Sequence, residues 1–181
     1  MSLFRTVRRA AVAALALTAA AHGAPQGALA AEPKVLGSFK DWNAFAFEEG
    51  GHKVCYMSSQ PKKKEPAGAK RGDIYVLVTH RPGEKSFDVV SFIVGYSFKK
   101  ESEAVVELGG KTIKLFTDGE TAWARDADTD KALVAAMKDG KGKPMLMKGT
   151  SGRGTKTTDT YSLDGMGEAY GAINAACGVK R

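Results

Sequence analysis

The amino-acid sequence predicts a mainly β chain: an antiparallel, β-sandwich-like single domain with two short helices, the second of them C-terminal. Three observations lead there. From Val35 to Ala124, short runs dense in Val, Ile, Phe and Tyr alternate with turn dipeptides. Only two stretches, near 128–140 and 166–178, switch to a helical period. An N-terminal export signal over 1–30 leaves 31–181, the size of one ordinary domain that can bury its own core.

The elements follow in order. Residues 38–47 and 53–59 read as two strands around Glu48-Glu49-Gly50-Gly51. Residues 74–79 and 87–96 are strongly apolar and read as buried strands. Arg81-Pro82-Gly83-Glu84 turns between them, since proline fixes φ and glycine permits φ > 0. Residues 104–108 run into Gly109-Gly110, and 113–117 into Asp118-Gly119. Such two-residue turns match the twist of the strands they join, so 103–124 is a three-stranded meander with Trp123 as its core anchor. Asp128 or Thr129 caps a helix that buries Leu133 and Met137 and stops at Gly140. Residues 144–150 and 155–162 pair around Gly152-Arg153-Gly154. Met166, Tyr170, Ile173 and Cys177 then form one apolar helical stripe, with Ser162 or Asp164 as its cap and Gly178 as its stop.

Arg5, Arg8 and Arg9 precede an apolar run over 10–21, and no acidic residue occurs before Glu32. The run is shorter than the roughly twenty residues that cross a bilayer. Ala28-Leu29-Ala30 follows as a small-x-small cleavage site, so 1–30 reads as a secretory signal peptide. Ala21-His22-Gly23 is a second site, and Arg8-Arg9 raises a twin-arginine route without its usual bulky continuation. The expected location is periplasmic, outer-membrane-associated or secreted, with no transmembrane segment after cleavage. Both cysteines survive cleavage into an oxidising compartment, where an even pair reads as a disulfide, Cys55 to Cys177. There is no CxxC, and His52 and His80 show no metal-ligand spacing with them.

The net charge is +7, and losing the three signal arginines lowers it to about +4. Five cations (Lys62, Lys63, Lys64, Lys70, Arg71) against Glu65 account for that excess between Pro61 and Gly72. Bulk charge therefore excludes a nucleic-acid binder and leaves one basic loop. Lysines between prolines read as solvated and mobile. They suit an anionic lipid or glycan surface, where each charge contributes about 1 kcal/mol; a solubilising spacer is the plain alternative.

Chemistry-bearing motifs are sparse. The 149–157 stretch has Thr155 between Gly154 and Lys156, so it lacks the GK[ST] of a phosphate loop. Ser151 does not stand in a GxSxG elbow, and His52 and His80 read as strand-end surface residues. Glu48-Glu49 and Asp128/Asp130 suit a turn and a helix start. The pattern thus names no catalytic, cofactor-binding or metal residue. Thr155, Thr157 and Asp159 alternate as on an exposed strand face, and Arg153 stands at the hairpin tip as a candidate partner contact.

The run from Lys148 to Gly165, KGTSGRGTKTTDTYSLDG, followed by a helix ending in Cys177, resembles the invasion-associated locus B (IalB) proteins of α-proteobacteria. Trp42 near the mature start, Cys55-Tyr56-Met57 on a strand and the hydrophobic 87–94 region agree. The resemblance covers most of 36–178 and is most specific over 149–165. Members commonly carry another cysteine just after the N-terminal tryptophan segment; residues 44–47 hold none, which leaves Cys55 to Cys177 as the one intrachain pairing. The resemblance implies host-cell entry for pathogenic members and brings no catalytic residues. The reading that follows is a non-enzymatic envelope protein whose partner is an anionic lipid or glycan, or an envelope protein. A small-ligand or glycan-binding module is the alternative, with a deep pocket lined by Trp42, Trp123, Tyr96 or Tyr161. A hydrolase with dispersed carboxylates ranks third.

Overall fold

Burial alternates along most strands, and that alternation builds the fold. The computed structural model describes residues 32–140 and 142–180; the export signal expected over 1–30 lies outside them. The described residues form eleven strands and two α-helices. The strands are β1 (Lys34–Phe39), β2 (Trp42–Glu49), β3 (His52–Ser59), β4 (Lys63–Glu65), β5 (Tyr75–Arg81), β6 (Ser86–Ile93), β7 (Ala104–Leu108), β8 (Lys111–Asp118), β9 (Thr121–Trp123), β10 (Met145–Thr150) and β11 (Lys156–Tyr161). Helix α1 spans Ala127–Asp139 and α2 spans Met166–Cys177. The strands lie in the order β1-β2-β3-β5-β6-β9-β8-β7-β10-β11-β4, every pair antiparallel.

This sheet curls like a sandwich so that its inner face closes on itself. Trp42, Met57, Val78, Val90 and Phe92 line one half of that face, and Val106, Leu115, Met147 and Tyr161 line the other. The Phe92 and Tyr161 rings meet edge to face across the core at 5.9 Å. Burying each large side chain contributes about 1.5–3 kcal/mol. The Trp42 Nε1–H donates to the Ser162 carbonyl at 3.0 Å, so the indole is satisfied as well as buried. Tyr161 Oη has no hydrogen-bond partner among the described residues, and burial pushes its phenol far up. Helix α2 packs on β1, β2 and β3, and α1 on β6.

Several local expectations need correction. Residues 38–47 are not one strand: the chain turns at Lys40, in a left-handed conformation (φ 51°), and splits into β1 and β2. Trp123 is half-buried and stacks on Phe116 at 5.6 Å; Trp42, fully buried, is the core indole. Helix α1 is capped by Asp126 instead of Asp128 or Thr129, because the Asp126 carboxylate accepts the Thr129 amide at 2.7 Å. Neither Ser162 nor Asp164 caps α2. Gly165 holds that position at φ 89° against the Phe39 carbonyl, where any side chain would collide.

His80 is also not a surface residue. It is fully buried, its Nδ1 accepting the Asp88 amide at 3.0 Å and its Nε2 donating to Asn174 Oδ1 at 2.9 Å. Tyr170 Oη donates to Asp88 Oδ1 at 2.7 Å, which ties α2 into the same network. His80 shares a face with Val76 and Val78, and α2 covers that face.

Across the β3–β5 ladder, Cys55 pairs in register with His80, and it is bonded to Cys177 with Cα atoms 6.0 Å apart. The bridge spans 122 residues, and the loop-entropy model assigns such a closure about 4–5 kcal/mol as an upper figure. Reduction, or Cys55→Ala with Cys177→Ala, is expected to lower the chemical-denaturation stability by about 2–5 kcal/mol without unlocking the sheet. Equal midpoints with and without reductant would contradict it.

Asp130 of α1 accepts the Val90 amide of β6 at 2.9 Å. Burial, aided by the nearby Asp88 and Asp126 charges and opposed by the Val90 bond, pushes its carboxyl from 3.8 up to about 6. In that window the folded state keeps a proton that the unfolded chain releases, so this group's contribution to stability falls as pH rises. Asp130→Asn keeps the acceptor oxygen and removes the charge. It is expected to melt above the parent at about pH 7.5, with the gap closing below the ordinary carboxylate value of 3.8. A gap constant with pH would disprove the assignment.

Candidate anion-binding site

After β3 the chain leaves its neighbours, crosses to the far edge of the sheet and returns to β5. On the way out Lys62 donates its amide to the Thr160 carbonyl, and β4 then pairs with β11 in the register Lys63↔Thr160, Lys64↔Asp159 and Glu65↔Thr158. This corrects the reading of 61–72 as a mobile loop. Backbone groups on the open edge of β11 need partners whatever side chains supply them, and charged residues are well suited to an edge strand. Lys62, Lys63 and Lys64 remain exposed. Lys62 pairs with Asp41 at 2.6 Å, which holds the Asp41 carboxyl below its ordinary range, and Lys63 pairs with Glu65 at 2.9 Å.

Arg71 departs furthest from expectation. Its side chain is 5% exposed and forks onto Asp159, itself 1% exposed, through bonds of 2.7 and 2.6 Å. Nε and Nη2 also donate to the Val94 carbonyl at 2.9 and 2.8 Å, and the guanidinium lies 5.0 Å from the Tyr96 ring centroid. Placing Arg71 here requires the backbones at Gly72 and Gly95 to touch. The Gly72 amide donates to the Gly95 carbonyl at 2.8 Å, and a Cβ on Gly95 (φ 69°) would sit 2.6 Å from the Gly72 oxygen. Arg71 is therefore a structural cation, not part of a solvated binding set.

The expected exposure of Thr155, Thr157 and Asp159 is likewise overturned for the last two. Thr157 and Asp159 are buried on the Tyr161 face, because β4 covers the outer edge of β11 and Arg71 neutralises the acid. Thr157 Oγ1 and Tyr96 Oη share a 2.6 Å hydrogen bond, and burial raises the Tyr96 phenol. At the β10–β11 hairpin, the Ser151 hydroxyl accepts the Thr155 amide at 3.2 Å, while Arg153 is exposed. These parts border a half-open cavity of about 310 Å³ whose charged lining is Lys70, Arg71 and Arg153, with Tyr96, Ser151 and Thr155 between them.

Two of the sequence-nominated cations, Lys70 and Arg153, thus meet at one cavity although 83 positions separate them. Lys62, Lys63 and Lys64 lie farther along the same edge, against Asp159 and Thr160 and outside the lining of the cavity. Asp159 and Ser151 were not legible in the sequence as parts of a site. The available signal was parity: Asp159 alternates in step with Tyr161, and an acid on an inward face calls for a cation. Of the aromatics expected around a ligand, Trp42 and Tyr161 fill the core and only Tyr96 borders this cavity. Among the described residues, no group of three or more His, Cys, Asp and Glu is placed to hold a metal ion.

Over residues 42–174 the sequence matches the family described as Invasion associated locus B (IalB) protein. The chain belongs to the invasion associated locus B family. A solved structure, the crystal structure of invasion associated protein B from Bartonella henselae, is similar with a TM-score of 0.51 and 18% identity, covering 77% of this chain and 95% of that one. At that identity the likeness speaks for the fold. No curated protein matches the sequence. Arg71, Tyr96, Arg153 and Asp159 all fall within the stretch matched to the invasion associated locus B family, and Cys177 lies three residues beyond it.

Breaking a buried pair costs more than deleting it whole, since the survivor is left charged and unpaired. Asp159→Ala is expected to cost about 3–5 kcal/mol in denaturant titrations. Joining it to Arg71→Met should cost less than the sum of the two single changes. Additive losses would mean that the two side chains do not stabilise the fold as a pair.

Proposed function

We propose that this invasion associated locus B family member is exported, loses residues 1–30 as a signal peptide, and acts without catalysis by binding anionic groups at the cell envelope. The mature domain, 31–181, would then reside in the periplasm, at the outer membrane or outside the cell. In a pathogenic source, the same surface would meet a host cell. One observation supports the reading: the chain lays Lys62, Lys63 and Lys64, all exposed, along the outer edge of β11 and then brings Lys70 to Arg153, so cations remote in sequence lie along one side of the sheet. Family membership and the disulfide, which suits an oxidising compartment, support it.

Expressed with its own N-terminus, the protein should be recovered from the envelope or medium with Ala31 as its first residue. The mature protein should bind vesicles containing phosphatidylglycerol, more weakly as salt rises. Replacing Lys62, Lys63 and Lys64 together by Gln should weaken that binding at low salt while leaving the melting temperature within a degree or two. An intact Met1, or vesicle binding equal in both forms across the salt series, would defeat the reading.

A further inference from the structure

We infer that the cavity between the basic segment and the β10–β11 hairpin is a specific receptor for a single oxyanion group of the phosphate type, held between Lys70 and Arg153. The inference rests on the reading of this edge as anion-binding and narrows it from a surface to a site.

Charge comes first. Arg71 and Asp159 cancel as a bidentate pair. The cavity therefore keeps the charges of Lys70 and Arg153, about +2 in all, and no carboxylate lines it. Two cations facing one half-open space repel each other, and an anion between them relieves this.

Donor supply comes second. A guanidinium carries five N–H donors. Nε gives one to the Val94 carbonyl, Nη2 gives one to Val94 and one to Asp159, and Nη1 gives one to Asp159. One Nη1–H of Arg71 is left over. The Ser151 hydroxyl accepts the Thr155 amide and still has its own hydrogen to donate, as does the Thr155 hydroxyl. The lining thus combines two mobile charged donors, one fixed charged donor and two hydroxyls. That set is suited to the several acceptor oxygens of a phosphate, and Arg in particular favours such a planar-fork contact.

Shape comes third. About 310 Å³ lies at the lower end of the roughly 300–1,000 Å³ range of small-ligand sites. It accommodates one headgroup or one phosphorylated small molecule, whereas an extended polyanion would run along the lysine edge outside. The fixed floor favours preorganisation. Arg71 stacks on Tyr96, Tyr96 is bonded to Thr157, and the backbone contact between Gly72 and Gly95 holds the segment in place, so the site needs little ordering on binding.

The test titrates inorganic phosphate into the isotopically labelled mature protein and follows amide shifts. Phosphate should perturb residues 70–72 and 151–155 in one saturable set. Lys70→Gln and Arg153→Gln should each weaken it about tenfold, the worth of one charge-assisted hydrogen bond. The triple Lys62, Lys63, Lys64 to Gln variant should bind phosphate like the parent. Absence of phosphate binding, or parental affinity in the Lys70→Gln and Arg153→Gln variants, would overturn the site. Neither result touches the vesicle experiment, which decides the envelope reading through the three lysines. Vesicles containing phosphatidic acid separate the two sources of the oxyanion. If Lys70→Gln and Arg153→Gln weaken vesicle binding too, the group is a lipid headgroup. If they lose phosphate but keep vesicle binding, the ligand is a soluble phosphorylated molecule. Melting curves of both variants should overlay the parent, since both side chains are exposed.

Discussion

The buried pair of Arg71 and Asp159 is the constraint on which the rest of this structure depends. A guanidinium and a carboxylate withdrawn from water cost several kcal/mol each unless their geometry and remaining hydrogen bonds compensate. In this pair the carboxylate receives two bonds, and the Val94 carbonyl receives two more from the same arginine. Asp159 belongs to β11 and Val94 directly follows β6, so one side chain ties together the two halves of the curled sheet. The path of the chain between β3 and β5 is then forced. It must reach the far edge to place Arg71, and in passing it lays down β4 over the open side of β11.

The cavity is a consequence of that path. Because Arg71 commits its charge to Asp159, the positive character of the space comes from its neighbours Lys70 and Arg153, which stay exposed. The buried arginine supplies rigidity, and the exposed pair supplies charge. Lys70 and Arg71 are adjacent and chemically alike, yet one is exposed and the side chain of the other is nearly sealed from solvent.

Much of the fold was legible in sequence because its signals are local. Gly109-Gly110 and Asp118-Gly119 mark the turns of the β7–β8–β9 meander, and the Met166, Tyr170, Ile173 stripe with Gly178 marks α2. The family too was legible, from the run between Lys148 and Gly165. What failed was set by distant partners. Proline and lysine content marked 61–72 as solvated, but the edge of β11, roughly a hundred positions away, recruits three of those residues into a strand. His80 looked like a strand end because nothing adjacent shows that α2 will cover it. Asp159 looked exposed because threonines flank it, although it keeps step with Tyr161. Each of these errors concerns a polar residue whose placement is decided by a cation, an amide or a backbone edge elsewhere.

The two ends of the β5–β6 pair show how stability and binding are divided. At the end where β5 runs into β6, His80, Asn174, Asp88 and Tyr170 form a closed polar network, and the disulfide from Cys55 lies one pairing away. Those groups are buried and committed to one another and to α2, so a ligand could enter only by breaking them. At the other end, Tyr75 pairs with Ile93 and the chain opens into Arg71 and Val94. There the buried charges are balanced while exposed cations stand over a preformed space. A binding site needs a fixed floor and uncommitted donors in reach of solvent, and within this hairpin pair the Arg71 end has both. The covalent lock at the first end also removes freedom from the unfolded chain without occupying any group at the second, so the site can be retuned through Lys70 or Arg153 with little effect on the fold.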